Sequence, residues 1–397
     1  MSLNNTPNAE RVHIGFFGMR NAGKSSLVNA VTGQSLSVVS DVKGTTTDPV
    51  TKAMELLPLG PVVIIDTPGI DDEGDLGELR VKKARQILAK TDIAVLVTDA
   101  TKELSDFDKQ LISYFEEAKL PYIIAYNKCD IVKKETKNNE ICVSALTGEN
   151  INELKEKIAS LNPKTEEKFI VADLLTKGDI VVLVTPIDES APKGRLILPQ
   201  QNTIREIIDH GCIAVVCQPE ELKQTLDALK NPPRLVITDS QVFGKVAKIL
   251  PDNIPLTSFS ILFARYKGEL EELVRGASLL SKLKKSDKIL ISEGCTHHRQ
   301  CNDIGTVKMP GWIEGFSGVK PEYHFTSGGE FPEDLSEYAL IVHCGGCMLN
   351  EKEMKRRISA AKAAGVPIVN YGVAIANMHG ILRQALAPFP DIQDILG

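Results

Sequence analysis

The sequence predicts an α/β fold with mostly parallel sheets, and two observations support it. Short apolar runs typical of buried parallel strands, such as Val62–Ile65 and Ile180–Val184, alternate with helical patterning along most of the chain. Polar motifs directly follow several of these runs, as ligand-binding residues do at the carboxyl ends of parallel strands. A length of 397 residues is enough for two or three such domains.

Composition limits the function classes. Hydrophobic residues make up 43% and charged residues 25% of the chain, which is ordinary for a globular protein. The net charge of −6 offers no general electrostatic surface to nucleic acid or anionic membrane, and no apolar run approaches the ~20 residues of a membrane span. The polar N-terminus lacks a signal-peptide region. We therefore expect a cytoplasmic protein with no nucleic acid and no membrane among its partners, whose eight cysteines are metal ligands or buried thiols rather than disulfides.

The domain boundaries follow from a polar linker at residues 162–168. We expect three α/β domains, at 1–165, 170–265 and 266–397. The middle domain shows no catalytic constellation, which makes it the candidate for dimerisation, and its Cys212 and Cys217 are predicted as core thiols. An amphipathic helix over Leu270–Lys285 is predicted to lead into the third domain.

The first domain carries a phosphate-binding motif between a strand and a helix. Residues Gly18–Ser25 fit the pattern G-x-x-x-x-G-K-[ST], directly after the apolar run Val12–Phe17. The glycines let backbone N–H groups cradle phosphates, Lys24 would reach the β- and γ-phosphates, and Ser25 would hold Mg²⁺. The residues assigned to this part of the site are Gly18, Asn21, Ala22, Gly23, Lys24, Ser25 and Ser26.

Further elements follow in the order expected of a GTPase. The loop Lys43–Asp48 offers a threonine to the magnesium ion. Asp66 would hold Mg²⁺ through water, and the backbone N–H of Gly69 would sense the γ-phosphate. Asp130 follows another strand and can accept from guanine N1–H and N2–H₂, a donor pair that adenine lacks. The base site comprises Asn127, Lys128, Asp130, Ser144 and Ala145, the last two offering backbone N–H groups to guanine O6.

Two cysteine clusters stand near the C-terminus, each directly after a strand-like run. Cys295-Thr296-His297 follows Lys288–Ile291, and His343-Cys344-Gly345-Gly346-Cys347 follows Tyr338–Val342. Strand ends in a parallel sheet meet at one edge, so the two clusters can converge, with room for a helix and a strand between them. Three interpretations remain open. They are a [4Fe–4S] cluster on three thiolates with an exchangeable fourth position, a tetrahedral zinc site, and core cysteines beside incidental histidines.

The first domain resembles the tRNA-modification GTPases of the translation-factor-like class, through Gly44-Thr45-Thr46-Thr47-Asp48 and the asparagine of the phosphate loop. The resemblance implies that Asn21 binds K⁺, which replaces an arginine finger electrostatically, and that Thr46 binds Mg²⁺. It also places Glu78 where that class has a catalytic carboxylate. Ile70 stands where Ras-like proteins have a water-orienting glutamine, so hydrolysis is expected to be slow. The catalytic assignment is Lys24, Thr46, Gly69 and Glu78, and Mg²⁺ is assigned to Ser25, Thr46 and Asp66.

The whole chain resembles the HydF family of [FeFe]-hydrogenase maturation GTPases, because the GTPase motifs, a middle domain without chemistry and Cys-x-His…His-Cys-x-x-Cys occur in this order. The resemblance implies an enzyme that binds GTP/GDP, Mg²⁺ and K⁺, carries a [4Fe–4S] cluster in its C-terminal domain, and assembles and delivers the diiron precursor of the hydrogenase active site. It further implies a homodimer, two radical-SAM maturases and the apo-[FeFe]-hydrogenase as partners.

By the family's motif, Cys295, Cys344 and Cys347 carry the cluster, and His297 and His343 match its histidines. The fourth ligand stays open among His297, His343, Cys301, a glutamate such as Glu293, and exchangeable solvent. Two other classes of protein remain as alternatives. One is a tRNA-modification-type GTPase, and the other is a regulatory GTPase whose C-terminal domain carries structural zinc.

Overall fold

The structure is a computed structural model that describes residues 11–34, 50–67, 87–162, 168–187, 196–294, 304–346 and 349–396. The chain divides into two compact units, Met1–Glu166 and Glu167–Gly397. The first unit ends close to residue 165, where the N-terminal domain is predicted to end, and the predicted domain bounds stay predictions. The division of the second into a middle and a C-terminal domain stays a prediction, because its two sheets share one hydrophobic core that extends from Ile170 to Phe389.

The N-terminal unit is an α/β domain with helices on both faces of its sheet. Its elements are β1 (Val12–Phe17), α1 (Lys24–Thr32), β2 (Val50–Leu56), β3 (Gly60–Asp66), β4 (Ile93–Asp99), α2 (Asp106–Glu117), β5 (Tyr122–Asn127), β6 (Glu140–Cys142) and α3 (Ile151–Ser160). The strand order is β2-β3-β1-β4-β5-β6, and all pairs are parallel except β2 with β3. Two apolar clusters, one on each side of β4, form the core.

The second unit begins with a four-stranded parallel sheet of order β10-β9-β7-β8. Its elements are β7 (Ile180–Val184), α4 (Leu198–Asp209), β8 (Ile213–Cys217), α5 (Leu222–Ala228), β9 (Leu235–Thr238), α6 (Phe243–Ile249), β10 (Leu256–Ser258) and α7 (Phe259–Lys267). Cys212 and Cys217 are buried in the core, as predicted, and the Cys212 thiol lies 3.2 Å from the Thr176 carbonyl oxygen.

A second parallel sheet of order β12-β11-β13-β14 completes the unit. Its elements are α8 (Leu270–Ala277), β11 (Lys288–Glu293), α9 (Met309–Ser317), β12 (Glu322–Ser327), β13 (Leu340–His343), α10 (Glu351–Ala363), β14 (Ile368–Asn370), α11 (Tyr371–Met378), α12 (Leu382–Ala385) and α13 (Pro390–Gln393). A helix and a strand, α9 and β12, therefore lie between the two cysteine clusters, as the length of that segment predicts.

The predicted helix over Leu270–Lys285 is too long. Helix α8 ends at Ala277, and a separate 3₁₀ turn follows at Leu280–Lys282. The reason is local, because Ser278 donates from both its backbone N–H and its hydroxyl to the Arg275 carbonyl, and the Leu279 N–H bonds to Gly276. These short-range bonds tighten the last turn and end the helix. None of the helices in the described ranges combines the length and the apolar character that a membrane crossing needs.

Candidate functional site

The phosphate loop of the N-terminal unit follows β1 and requires its glycines. Gly18 has φ 147° and Gly23 has φ 82°, values that side chains rarely adopt. A Cβ at Gly18 would stand 2.2 Å from the Val97 carbonyl oxygen, and one at Gly23 would stand 2.2 Å from Nδ2 of Asn127. The loop is therefore packed against the ends of β4 and β5. Asn21 also has positive φ, 65°, a conformation that asparagine tolerates better than most residues.

Lys24, Ser25 and Asp66 meet at the carboxyl end of β3. The buried Lys24 ammonium donates to Asp66 Oδ1 and to the Thr67 carbonyl oxygen, and Ser25 Oγ lies 3.2 Å from Asp66 Oδ2. The Thr67 hydroxyl donates to the Phe16 carbonyl at 2.7 Å, which ties this segment to β1. A hydroxyl and a carboxylate are the oxygen ligands that Mg²⁺ prefers, and an ammonium beside them suits phosphate binding.

The guanine motif is assembled by hydrogen bonds from three segments. Asn127 donates from Nδ2 to the Ala22 carbonyl at 3.0 Å, and its Oδ1 accepts the Ala145 N–H at 3.0 Å. Asp130 is exposed, and its Oδ1 accepts from Ser144 Oγ at 2.5 Å. Asn127 therefore joins the phosphate loop to the base site. A carboxylate has lone pairs for several donors, so Asp130 can accept from guanine while bonded to Ser144.

Lys128 lies beside this motif with φ 68°, and its ammonium bonds Asp99 Oδ2 at 2.5 Å. Burial acts to raise the pKa of Asp99, but hydrogen bonds from Lys128 and Thr101 outweigh it and hold the pKa at about 2. Asp99 is therefore ionised across the physiological range, and it holds the Lys128 ammonium at the edge of the base site.

Three other assigned residues, Thr46, Gly69 and Glu78, lie outside the described residues.

The second site lies where β11 and β13 end side by side. These strands are parallel neighbours with Ser292 opposite His343. Sγ of the half-buried Cys344 accepts the Gly294 N–H at 3.0 Å and the Gly346 N–H at 3.4 Å. A Cβ at Gly294 would lie 3.5 Å from Gly346 Cα.

These two glycines immediately precede Cys295 and Cys347 in the sequence. The residues that flank the two clusters therefore meet at one edge of the sheet. The described part of the chain contains no group of three histidine, cysteine or carboxylate side chains arranged as a metal site. Four of the residues discussed as ligands, Cys295, His297, Cys301 and Cys347, lie outside the described ranges.

His343 is completely buried and both of its ring nitrogens are engaged. Nη1 of Arg357 lies 3.0 Å from Nε2, and because a guanidinium can only donate, Nε2 accepts. Nδ1 therefore carries the proton and donates to the Cys344 carbonyl at 2.7 Å. Burial and the positive charge of Arg357 lower the pKa of His343 to about 4. In this arrangement neither nitrogen presents a lone pair to a metal, and the ring instead orients the backbone of Cys344.

Two buried cations near this site were missed by sequence reasoning. Arg357 is fully buried and bonds Glu353, the Ser292 hydroxyl and the Gly328 carbonyl as well as His343. Lys267 is 2% exposed and donates to the Leu349 carbonyl at 3.0 Å and the Gly346 carbonyl at 3.4 Å. Glu353 and Arg357 are four residues apart, the spacing of an ion pair on the exposed face of a helix, so the sequence gives no sign that Arg357 is buried. Lys267 ends an ordinary helix, and nothing near it in the sequence indicates burial either.

Glu293 ends β11, and its Oε1 accepts from the Tyr371 hydroxyl at 3.3 Å. A Cβ at Gly305 would lie 2.4 Å from the same oxygen, so this glycine makes room for the carboxylate. The glutamate therefore lies at the same sheet edge as Cys344. Trp312, another residue near the motif in sequence, packs against the core from α9.

The nucleotide site and the mostly parallel sheet define a P-loop GTPase, and the comparisons with known proteins agree. A family model described as "50S ribosome-binding GTPase" matches residues 13–128. The models "Hydrogen maturase F dimerization domain" and "Hydrogen maturase F tetramerization domain" match residues 170–268 and 271–388. The chain belongs to the HydF family of hydrogen maturases, which confirms the resemblance found in its motifs. Its matched domains are a dimerization domain and a tetramerization domain, so the chain carries domains for self-association. The sequence predicted dimerisation and did not predict a tetramer.

Curated relatives match the GTPase part. GTPase Der of Mycoplasmopsis pulmonis is 39% identical over 140 residues, covering 34% of this chain and 32% of its own. The tRNA modification GTPase MnmE of Clostridioides difficile is 34% identical over 154 residues, covering 36% and 33%. This chain therefore spans about a third of the length of these relatives. Aquifex aeolicus Era bound to GDP.AlF4- matches with 20% identity, a TM-score of 0.35, and 52% of this chain and 93% of that chain covered.

Proposed function

We propose that the protein is a GTP-hydrolysing scaffold that carries a [4Fe–4S] cluster, assembles or holds the diiron precursor of the [FeFe]-hydrogenase active site, and delivers it to the apo-hydrogenase. The observation that carries this proposal is Cys344, whose sulfur accepts N–H groups from the glycines that precede Cys295 and Cys347. Membership of the hydrogen maturase family and the assembled nucleotide site support it.

The residues present suit an iron–sulfur cluster. Iron binds the ionised form of cysteine, and backbone N–H groups directed at a sulfur stabilise its negative charge. Cys295, Cys344 and Cys347 would hold the cluster, and the fourth position stays open among His297, His343, Cys301, Glu293 and exchangeable solvent. The engagement of both His343 nitrogens favours the other candidates. When bound, the cluster would supply an iron atom with a replaceable ligand, to which a second iron unit can be bridged.

The nucleotide would act as a switch rather than as an energy source for cluster chemistry. GTP held by Lys24 and Asp130, with Mg²⁺ on Ser25, Thr46 and Asp66, would order the loops around Thr46 and Gly69 and change the affinity for partners. Lys24, Thr46, Gly69 and Glu78 are the proposed catalytic groups. The expected partners are two radical-SAM maturases and the apo-hydrogenase, in the cytoplasm.

Potassium is expected to stimulate hydrolysis through Asn21. K⁺ at this exposed asparagine would supply the positive charge that an arginine finger supplies elsewhere, so the rate in KCl should exceed the rate in NaCl by at least about tenfold. Initial rates of phosphate release at equal ionic strength measure this, and Asn21→Ala should abolish the difference. Equal rates in the two salts would remove Asn21 from the role.

The middle sheet is the proposed dimer interface. Strand β8 lies at the edge of its sheet, and Ile213 and Val216 on it are 51% and 45% exposed. An apolar edge strand with unpaired backbone groups is a template for pairing with another chain, and a second copy of the same strand offers the same groups. The match to a dimerization domain over residues 170–268 supports this.

Val216→Lys is therefore expected to weaken the dimer, because a charge on an edge strand opposes pairing. Light scattering after gel filtration over a dilution series would show the shift toward a smaller assembly. The matched control is Ile208→Lys, a similarly exposed apolar residue on α4 at 54%. If the control dissociates the protein and Val216→Lys does not, β8 is not the interface.

The experiment that tests the proposed function is metal analysis of the anaerobically purified and reconstituted protein. About four irons and four sulfides per chain, with a [4Fe–4S]⁺ signal in electron paramagnetic resonance after reduction, are expected. Activation of apo-hydrogenase after incubation with the two radical-SAM maturases should follow. One tightly held zinc without a reconstitutable cluster would favour the regulatory GTPase instead, and copurifying RNA would favour the tRNA-modification class.

A further inference from the structure

We propose that Glu149 is a positioning residue of the base site, which holds the loop after β6 against the loop after β5 and thereby sets how long a guanine nucleotide stays bound. The inference rests on nucleotide binding by the N-terminal unit, and it does not depend on the proposed iron–sulfur cluster. Strands β5 and β6 are parallel neighbours with Tyr126 opposite Cys142, so the two loops leave the same edge of the sheet. The residues assigned to guanine are shared between these loops.

Backbone hydrogen bonds close the loop after β6 at Glu149. The Ser144 N–H donates to the Glu149 carbonyl at 3.1 Å, and the Gly148 N–H donates to the Ser144 carbonyl at 2.9 Å. Gly148 and Asn150, on either side of Glu149, are left-handed with φ 80° and 59°, and Nδ2 of Asn150 donates to the Cys142 carbonyl at 2.8 Å. The backbone of Glu149 is therefore fixed, and it is bonded directly to Ser144 of the base site.

The side chain of Glu149 contacts the other loop. Oε2 lies 3.6 Å from Sγ of Cys129, and Oε1 accepts from the Lys133 ammonium. Cys129 is 1% exposed and directly precedes Asp130, the carboxylate assigned to guanine. Burial, and then the negative charge of Glu149, raise the pKa of the Cys129 thiol to about 11, so the thiol is protonated and donates to the carboxylate. One side chain thus joins the closed end of one loop to the neighbour of Asp130 in the other.

Of the two bonds, the one to Cys129 is expected to matter more. The side chain of Lys133 is 73% exposed, and ion pairs at the surface contribute little because water and salt screen them. The thiol is shielded from water, and its acceptor is charged, which makes the hydrogen bond stronger than one between neutral groups. This bond therefore restrains the backbone on which Asp130 stands.

Two other side chains join the same loops, and both belong to the assigned base site. Oδ1 of Asn127 accepts the Ala145 N–H, and Oδ1 of Asp130 accepts from the Ser144 hydroxyl. Glu149 instead joins the loops from outside the assigned residues. Its removal is therefore expected to let the two loops separate more readily, while every group assigned to the base and to the phosphates stays present.

The release rate of GDP carrying a fluorescent methylanthraniloyl group on its ribose measures this effect. The full-length protein is loaded with this nucleotide and Mg²⁺, and release is followed after addition of excess unlabelled GDP. Glu149→Ala should release it about fivefold faster, the factor that corresponds to one net hydrogen bond. The change should also appear in KM for GTP and not in kcat, because the contacts of Lys24 at the phosphate end are unchanged.

Three further variants separate the bond from general loosening of the fold. Glu149→Gln keeps the chain length and an acceptor oxygen, and should restore most of the wild-type release rate. Cys129→Ala removes the donor, and the effect of the double variant should be smaller than the product of the two alanine variants, because the two residues share one bond. Glu117→Ala is the control, since it removes an exposed glutamate at the end of α2, and it should release at the wild-type rate.

Faster release in Glu149→Ala that Glu149→Gln reverses supports the inference. A wild-type release rate in Glu149→Ala would overturn it, and so would equally fast release from Glu149→Gln, since the acceptor oxygen would then not be what matters. Fully multiplicative effects of Cys129→Ala and Glu149→Ala would overturn it as well. If the wild-type protein binds no labelled GDP, the nucleotide site itself is wrong and this inference fails with it. A protein that binds GDP but reconstitutes no cluster contradicts the proposed scaffold and leaves this inference in place.

Discussion

Replacing Cys344 by serine is expected to remove the iron–sulfur cluster. The serine hydroxyl stays protonated where a thiolate is needed, and the two N–H groups of Gly294 and Gly346 would then stabilise no anion. Iron and sulfide after anaerobic reconstitution should fall from about four of each per chain to less than about one. The reduced protein should lose its paramagnetic signal, and hydrogenase activation should disappear with it.

The matched control is Cys217→Ser in the middle sheet. Cys217 is buried in the apolar core, and burial raises the pKa of its thiol, so it is a packing residue in the neutral form. Its replacement should lower the thermal stability and leave the iron content unchanged. GTP hydrolysis should survive in both variants, because the nucleotide site lies in the other compact unit. A full complement of iron in Cys344→Ser would contradict the assignment of this cysteine.

Lys24→Ala is expected to abolish GTP hydrolysis. The Lys24 ammonium lies at the carboxyl end of β3 with Asp66 and Ser25, where the β- and γ-phosphates of a nucleotide are expected. Loss of one charged group that stabilises the transition state costs about 10²- to 10³-fold in rate. Single-turnover phosphate release measures the loss, and a thermal melt shows whether the unit stays folded without the buried ion pair.

Lys109→Ala is the control for Lys24, because Lys109 is an exposed lysine of α2 paired only at the surface with Asp106. It should hydrolyse GTP at the wild-type rate. The same Lys24 variant also tests the proposed switch, since hydrogenase activation should fall with hydrolysis. If hydrolysis is lost and activation is unchanged, nucleotide turnover does not drive delivery.

Local sequence predicted several strands and the place of Lys24, Ser25 and Asp66 at the ends of β1 and β3. The strands Val12–Phe17 and Ile180–Val184 have the predicted bounds, and Lys24, Ser25 and Asp66 converge as the motif requires. These features depend on patterns within a few consecutive residues. An apolar run forms a buried strand, and a glycine-rich loop ending in lysine forms a phosphate site, largely independently of the rest of the fold. The bounds of the edge strands β2 and β12 were not predicted, although room for a strand was expected between the two cysteine clusters, because the polar and apolar residues of these strands are mixed as edge strands allow.

By itself, the sequence determined the class of the protein, the order of its GTPase motifs and the two strand ends, those of β11 and β13, at which the cysteine clusters are expected. Only the tertiary structure decided which charges are buried, and why His343 orients a backbone instead of presenting a free nitrogen. The burial of Lys267 and Arg357 depends on segments up to about 80 residues away in the sequence, such as the carbonyls of Gly346 and Leu349. Such contacts leave no local pattern, because desolvation and pairing are properties of the packed chain.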